Sequence, residues 1–200
     1  MTPSTAEPAT TKGRETKARL MRAAQTELRK HGRLEIADVG RAAGVAPSVI
    51  HRYFGNRAGL VAAVVEAFYD DYDAAVFLVP RAEDVSWQEG EALRITQEVG
   101  FLYSHPLGRR VAAGLLHDPA ATQVDAERQR RHAALAARNI RLGQASGELP
   151  SSVNADLAGA AIIGALRSVL TVALGLDDPP DQAEVIDTII RLSAALIHPE

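Results

Sequence analysis

The densest chemistry in the chain lies between Pro47 and Arg57. There Ser48, His51, Arg52, Tyr53 and Arg57 bring a hydroxyl, an imidazole, two guanidinium groups and a phenol into one short stretch. An arginine can donate two parallel hydrogen bonds to guanine O6 and N7, a serine hydroxyl serves either kind of base edge, and a small apolar side chain meets a thymine methyl. Contacts to phosphate orient a protein on a duplex without reading it. Ser48, Val49 and Arg52 therefore suit base edges, and His51, Tyr53 and Arg57 suit phosphates. Pro47, Ser48, Val49, His51, Arg52 and Tyr53 are all expected on or near an outer face.

Catalytic alternatives find little support. The six histidines, at 31, 51, 105, 117, 132 and 198, show no HExxH or comparable ligand spacing, and there is no GxSxG, P-loop or GxGxxG. His117 and Asp118 are adjacent, and neighbours on a helix do not face each other. The chain has no cysteine, which removes disulfides, thiol nucleophiles and thiolate metal sites. The expectation is no enzymatic activity, no metal and no cofactor.

Two short helices must position the stretch. Ile36, Val39 and Ala43 mark one, and Gly44 ends it with a turn that favours positive φ. Val45 turns back to the core, Pro47 fits the first turn of the next helix, and Ile50 and Phe54 anchor that helix at i and i+4. Helix, tight turn and second short helix make a helix-turn-helix, motif about 35–54, whose second helix can enter the major groove. Before it, Leu20, Ala24 and Leu28 repeat at four-residue spacing, and Gly32 is a stop signal. After it, helices are expected at about 58–78, 84–104, 106–117, 119–145, 152–176 and 180–197. The fold class is all-α, with about nine helices. Residues 1–12, rich in Thr, Pro, Ala and Ser, read as a disordered arm.

Charge divides along the same line. Residues 1–60 carry 11 Lys/Arg and 5 Asp/Glu, net +6; the rest carry 11 and 20, net −9, summing to the −3 of the whole chain. A basic first third on an acidic body points to a polyanion as its partner.

With those residues set out, "RLMRAAQTELRKHG" followed by "IADVGRAAGVAPSVIHRYFGNRAGLVAAVVEAF" resembles the DNA-binding domain of the tetracycline-repressor (TetR) family. Ala43-Gly44-Val45 matches the family's turn, His51-Arg52-Tyr53-Phe54 the end of its recognition helix, and Arg57 and Leu60 the basic residue and leucine that follow. The likeness covers about residues 14–68. Leu34 and Glu35 stand where the family usually has a capping threonine that touches phosphate, His51 replaces its tyrosine, and Ala46 stands where a serine cap is common. The resemblance implies a DNA-binding domain over 13–57 and a ligand-binding and dimerisation domain over 58–200. It implies a transcriptional regulator, a repressor released from a palindromic double-stranded operator by a small apolar or amphipathic effector. The rival reading is an all-α small-molecule-binding protein whose DNA motif has decayed at Leu34 and Glu35.

The acidic body fits the regulator. Leu157–Leu176 is almost wholly apolar but holds Arg167, so it reads as a helix buried on several sides rather than a membrane span. With the last helix it offers a homodimer interface, for which Ile162, Leu166, Val169, Leu170, Ile186, Ile189 and Ile190 are the candidates. The effector pocket is placed by the resemblance among the middle helices, with Phe68, Tyr72, Trp87, Leu93, Phe101, Tyr103, Leu116, His117 and Leu135 as candidates. No signal-peptide layout opens the chain, and a cytoplasmic protein with no membrane partner is expected.

Overall fold

Capping and glycine chemistry set the helix limits in the computed structural model, which describes residues 10–79 and 85–197. Nine helices occur among the described residues, and no strand: α1 (Thr11–His31), α2 (Ile36–Ala43), α3 (Pro47–Phe54), α4 (Arg57–Val76), α5 (Trp87–Ser104), α6 (Gly108–Ala112), α7 (Pro119–Ala145), α8 (Ala155–Gly175) and α9 (Gln182–Ile197). The all-α expectation holds.

Several boundaries differ from the sequence expectation, each for a local reason. Helix α1 begins at Thr11, inside the expected arm, because the Thr10 hydroxyl accepts the Gly13 N–H at 3.1 Å and caps it. The expected arm therefore loses its last residues to a helix, and its residues 1–9 lie outside the described residues. Helix α5 starts at Trp87 under a reciprocal capping box, in which Ser86 accepts from the Glu89 N–H and Glu89 accepts from the Ser86 N–H. Helix α6 is a single turn, and Gly114, at φ 66°, lies just beyond its end. Asn154 caps α8 by accepting from the N–H groups of Asp156 and Leu157.

The chain forms two compact units. The first comprises residues 1–69 together with 115–125, and the second residues 70–114 and 126–200. A division at residue 57 was the sequence expectation; in the structure the first unit takes in most of α4 and the segment that opens α7. In the first unit α1 packs on α2 and α2 on α3. Leu20, Ala24, Leu28, Leu34, Val39, Ile50, Phe54, Leu60 and Val61 form its core. In the second unit α8 packs on α9 and on α6, and α5 packs on α9 and α6.

Helix α8 is long and apolar enough to cross a bilayer by length and composition alone. Its apolarity has a use inside the second unit, where Ile162, Ile163, Leu166, Leu170 and Leu174 are buried. Gly159 lets its backbone approach α7, since a Cβ there would come within 2.7 Å of the Ala137 nitrogen.

Candidate nucleic-acid interface and effector cavity

The motif of the first unit is formed. Gly44, at φ 65°, makes the turn after α2, and the Val45 N–H donates to the Gly40 carbonyl at 2.9 Å. Pro47 opens α3, where a missing N–H does no harm. Ile50 and Phe54 are buried, while Pro47, Ser48, His51 and Arg52 are exposed and Val49 is half-buried. The His51 Nδ1 lies 2.9 Å from the Gly55 carbonyl. When that nitrogen carries the proton, the ring is tied to its own helix end and Nε2 points away.

Tyr53 departs from the expected outer face. It is 7% exposed, its ring tilted against Phe54 and covered by the Arg52 guanidinium at 4.9 Å from the centroid. A tyrosine one residue before the anchoring Phe54 falls on the edge of the buried face, so its ring joins the core. Only its hydroxyl, which accepts from Arg52 Nη2 at 3.3 Å, keeps a polar role.

Arg57 is engaged within the first unit. Its Nε donates to the Leu34 carbonyl at 2.8 Å, and its Nη2 lies 2.6 Å from Asp118 Oδ2. That oxygen has no well-aimed hydrogen-bond donor, so the contact is an ion pair rather than a directed hydrogen bond. Asp118 is 3% exposed and uses its other oxygen to accept the Ala120 N–H, capping α7. Leu34 itself is a core residue. The position where the family usually keeps a phosphate-binding threonine thus supplies an apolar plug and a carbonyl for Arg57. Glu35 is exposed and begins α2 without a side-chain cap.

Asn56 and Gly59 seat α3 against α4. The Asn56 side chain accepts the Gly59 N–H at 2.9 Å. A Cβ at Gly59 would stand 2.0 Å from the Phe54 carbonyl oxygen.

The second unit holds a cavity of about 440 Å³, within the usual range for small-molecule sites. Val76, Phe77, Trp87, Leu135, Ile140 and Ile162 make its apolar wall, and Glu91, Arg94, Gln97, Arg138 and Asn139 are its polar members. Trp87 has Nε1 donating to the Asn139 carbonyl at 3.1 Å. Arg94 is held bidentately by Glu91, at 3.0 and 2.7 Å, and by Glu98 at 2.7 Å. Burial alone would lower the Arg94 pKa, but the two carboxylates more than offset it and keep the guanidinium firmly charged. The Tyr72 hydroxyl donates to the second oxygen of Glu98.

Beside this network His132 pairs with Asp73 at 2.7 Å and stacks on Phe77 at 4.7 Å between centroids. Arg128 reaches the other Asp73 oxygen at 2.8 Å and Asp70 at 2.6 Å. Burial pushes the His132 pKa below the ordinary histidine value, against the pull of Asp73.

Of the nine expected pocket residues, Trp87, Leu93 and Leu135 line this cavity. Tyr72 and Phe101 meet edge-on behind it at 5.6 Å, and Tyr103 donates to the Pro180 carbonyl instead. Phe68, Leu116 and His117 belong to the first unit. Sequence reading missed Glu91, Arg94 and Asn139. The spacing of Glu91, Arg94 and Glu98, three and four residues apart on one helix, was the available signal.

Of the expected dimer residues, Ile162, Leu166, Leu170 and Ile189 are buried within the second unit, and Ile162 lines the cavity. A helix apolar all round does not reveal which side faces its own core. The large apolar side chains exposed on α8, at its C-cap and on α9 are Leu157, Val172, Leu176, Leu192 and Leu196, with Val169, Ile186 and Ile190 half-buried.

The family model for bacterial regulatory proteins of the tetR family matches residues 20–64, across the helix-turn-helix just described. This helix-turn-helix segment is similar to the DNA-binding domain of TetR-family transcriptional regulators. The HTH-type transcriptional regulator TtgR of Pseudomonas putida is 28% identical over 198 residues, covering 91% of this chain and 94% of that protein. Two solved structures share the fold. One is the transcriptional regulator FadR from Bacillus subtilis in complex with stearoyl-CoA, with TM-score 0.68, 18% identity and coverage of 91% of this chain and 100% of that one. The other is SmeT, the repressor of the Stenotrophomonas maltophilia multidrug efflux pump SmeDEF, with TM-score 0.75, 16% identity and coverage of 90% and 89%. TetR-family regulators bind operator DNA, act as homodimers and bind small-molecule effectors, and the family is generally non-enzymatic. The reading as a binding protein with a decayed DNA motif is not favoured.

Proposed function

We propose that this chain is a cytoplasmic homodimeric repressor that leaves a near-palindromic operator when a small molecule occupies the cavity of the second unit. The observation that carries the DNA half is a complete helix-turn-helix with Pro47, Ser48, His51 and Arg52 exposed on its second helix. Arg52 and Ser48 read base edges, Val49 meets a thymine methyl and His51 positions the helix on phosphate. The two copies join through α8 and α9, over the exposed Leu157, Val172, Leu176, Leu192 and Leu196. The half-sites lie about one helical turn or a multiple of it apart, near 34–36 Å for a single turn. The effector acts by its differential affinity for the DNA-competent and released states.

Selection from a random duplex library at moderate salt tests the reading. A palindromic consensus is expected, and compounds that fill the cavity should then release it. Failure to enrich any sequence, with or without candidate effectors, would overturn the repressor assignment.

A further inference from the structure

The charges around the cavity say what kind of molecule fits it. Of its two cations Arg94 is the more enclosed, its side chain 13% exposed, and Glu91 and Glu98 already bracket it. Glu91 also accepts from the Asn139 amide at 3.4 Å, and Glu98 from the Tyr72 hydroxyl. This cluster holds one more carboxylate than guanidinium, and every one of its oxygens is engaged. A carboxylate or phosphate placed against Arg94 would be desolvated beside two like charges, which is strongly unfavourable in a low-dielectric site. Arg138 also lines the cavity but is exposed, where water and salt screen it.

We infer that the cavity selects an amphipathic effector without negative charge, with an apolar body against Trp87, Ile140 and Ile162 and a hydrogen-bonding end toward Arg94 and Asn139, and that the Glu91–Arg94–Glu98 cluster rejects anions. This rests on the cavity being the effector site of the proposed regulator. Glu91 is a specificity-determining residue: it supplies the surplus negative charge at the wall.

Trp87 is the single tryptophan of the chain and lines the cavity, so its emission reports occupancy directly. Methyl octanoate and octanoate share a chain and a carbonyl and differ in charge. Titrated into the full-length protein at neutral pH and moderate salt, the ester is expected to shift Trp87 emission and bind at least tenfold more tightly than the anion. In Glu91→Gln the gap should narrow because octanoate gains affinity while the ester changes less than twofold. Octanoate binding as tightly as the ester to the unsubstituted protein overturns the inference, as does the absence of any response to the ester. The unsubstituted comparison stands even if Glu91→Gln does not fold. Operator retention is measured in parallel. An ester that occupies the cavity with the expected preference and leaves the operator complex intact supports the charge selectivity and refutes the effector-site reading instead.

Discussion

At the scale of single residues, Arg57 is the instructive case. Its type and place suit a phosphate contact, yet the structure ties it to the Leu34 carbonyl and to buried Asp118. Removing it leaves a buried carboxylate without its partner, which typically costs about 1–3 kcal/mol, more for charged groups. Arg57→Ala should therefore lower stability by about that amount, and adding Asp118→Asn should recover part of it. Urea unfolding of the two single variants and the double variant measures the coupling; strict additivity would return Arg57 to the phosphate role. Arg52 stands differently, exposed in the last turn of α3. Arg52→Ala should relax base preference at one operator position, by about 1–3 kcal/mol if the contact to guanine is bidentate. An unchanged consensus in a repeated library selection would remove Arg52 from the reading set.

His132 sets a pH dependence. Burial lowers its pKa in the folded state, with Asp73 and Glu98 opposing that shift and Arg128 reinforcing it. The unfolded chain takes up a proton near pH 6.5, so it binds more protons than the folded state as pH falls. This contribution to stability is complete above about pH 6.5 and declines below it. His105, also lowered by burial, acts with the same sign. Thermal midpoints followed from pH 7.5 to 5 should fall, and the fall should be shallower in His132→Asn. Parallel curves would show that the ring does not contribute.

At the scale of elements, the seat of α3 depends on a contact between its last carbonyl and the start of α4. Gly59→Ala would push a methyl group into the Phe54 oxygen. Overpacking of this kind typically costs about 1–3 kcal/mol. The variant should lose operator affinity beyond its loss of stability, because the shift falls directly on the recognition helix. Binding and unfolding measured on one preparation separate the two effects. The helices themselves were legible from periodicity and turn residues: Leu20, Ala24 and Leu28 are all buried on α1, and Gly44 makes the turn where positive φ was needed. The ends were less so. The capping box at Ser86–Glu89 was readable as Ser-x-x-Glu, whereas a cap by Thr10 inside a Thr-rich stretch looked like its neighbours.

At the scale of the whole molecule, the proposed pairing of subunits through α8 and α9 would place two recognition helices on one duplex. Val172 on α8 and Leu176 at its C-cap are exposed, and an aspartate at Val172 would be desolvated on dimerisation. Val172→Asp should give a monomer in sedimentation with its helix content intact and operator affinity sharply reduced, since each half-site alone binds weakly. A dimer that persists would move the interface off this face. The sequence by itself determined the all-α class, the helix-turn-helix and its likeness to the TetR family, because those depend on local periodicity, a glycine at a positive-φ turn and residues close together in the chain. Tertiary structure decided which apolar face of α8 is core, that Tyr53 is buried, that Arg57 is held by a residue 61 positions away, and that Arg94 faces two carboxylates at a cavity wall. Each of these is a choice among neighbours distant in the chain, and the side chain alone carries no record of which neighbour folding brings to it.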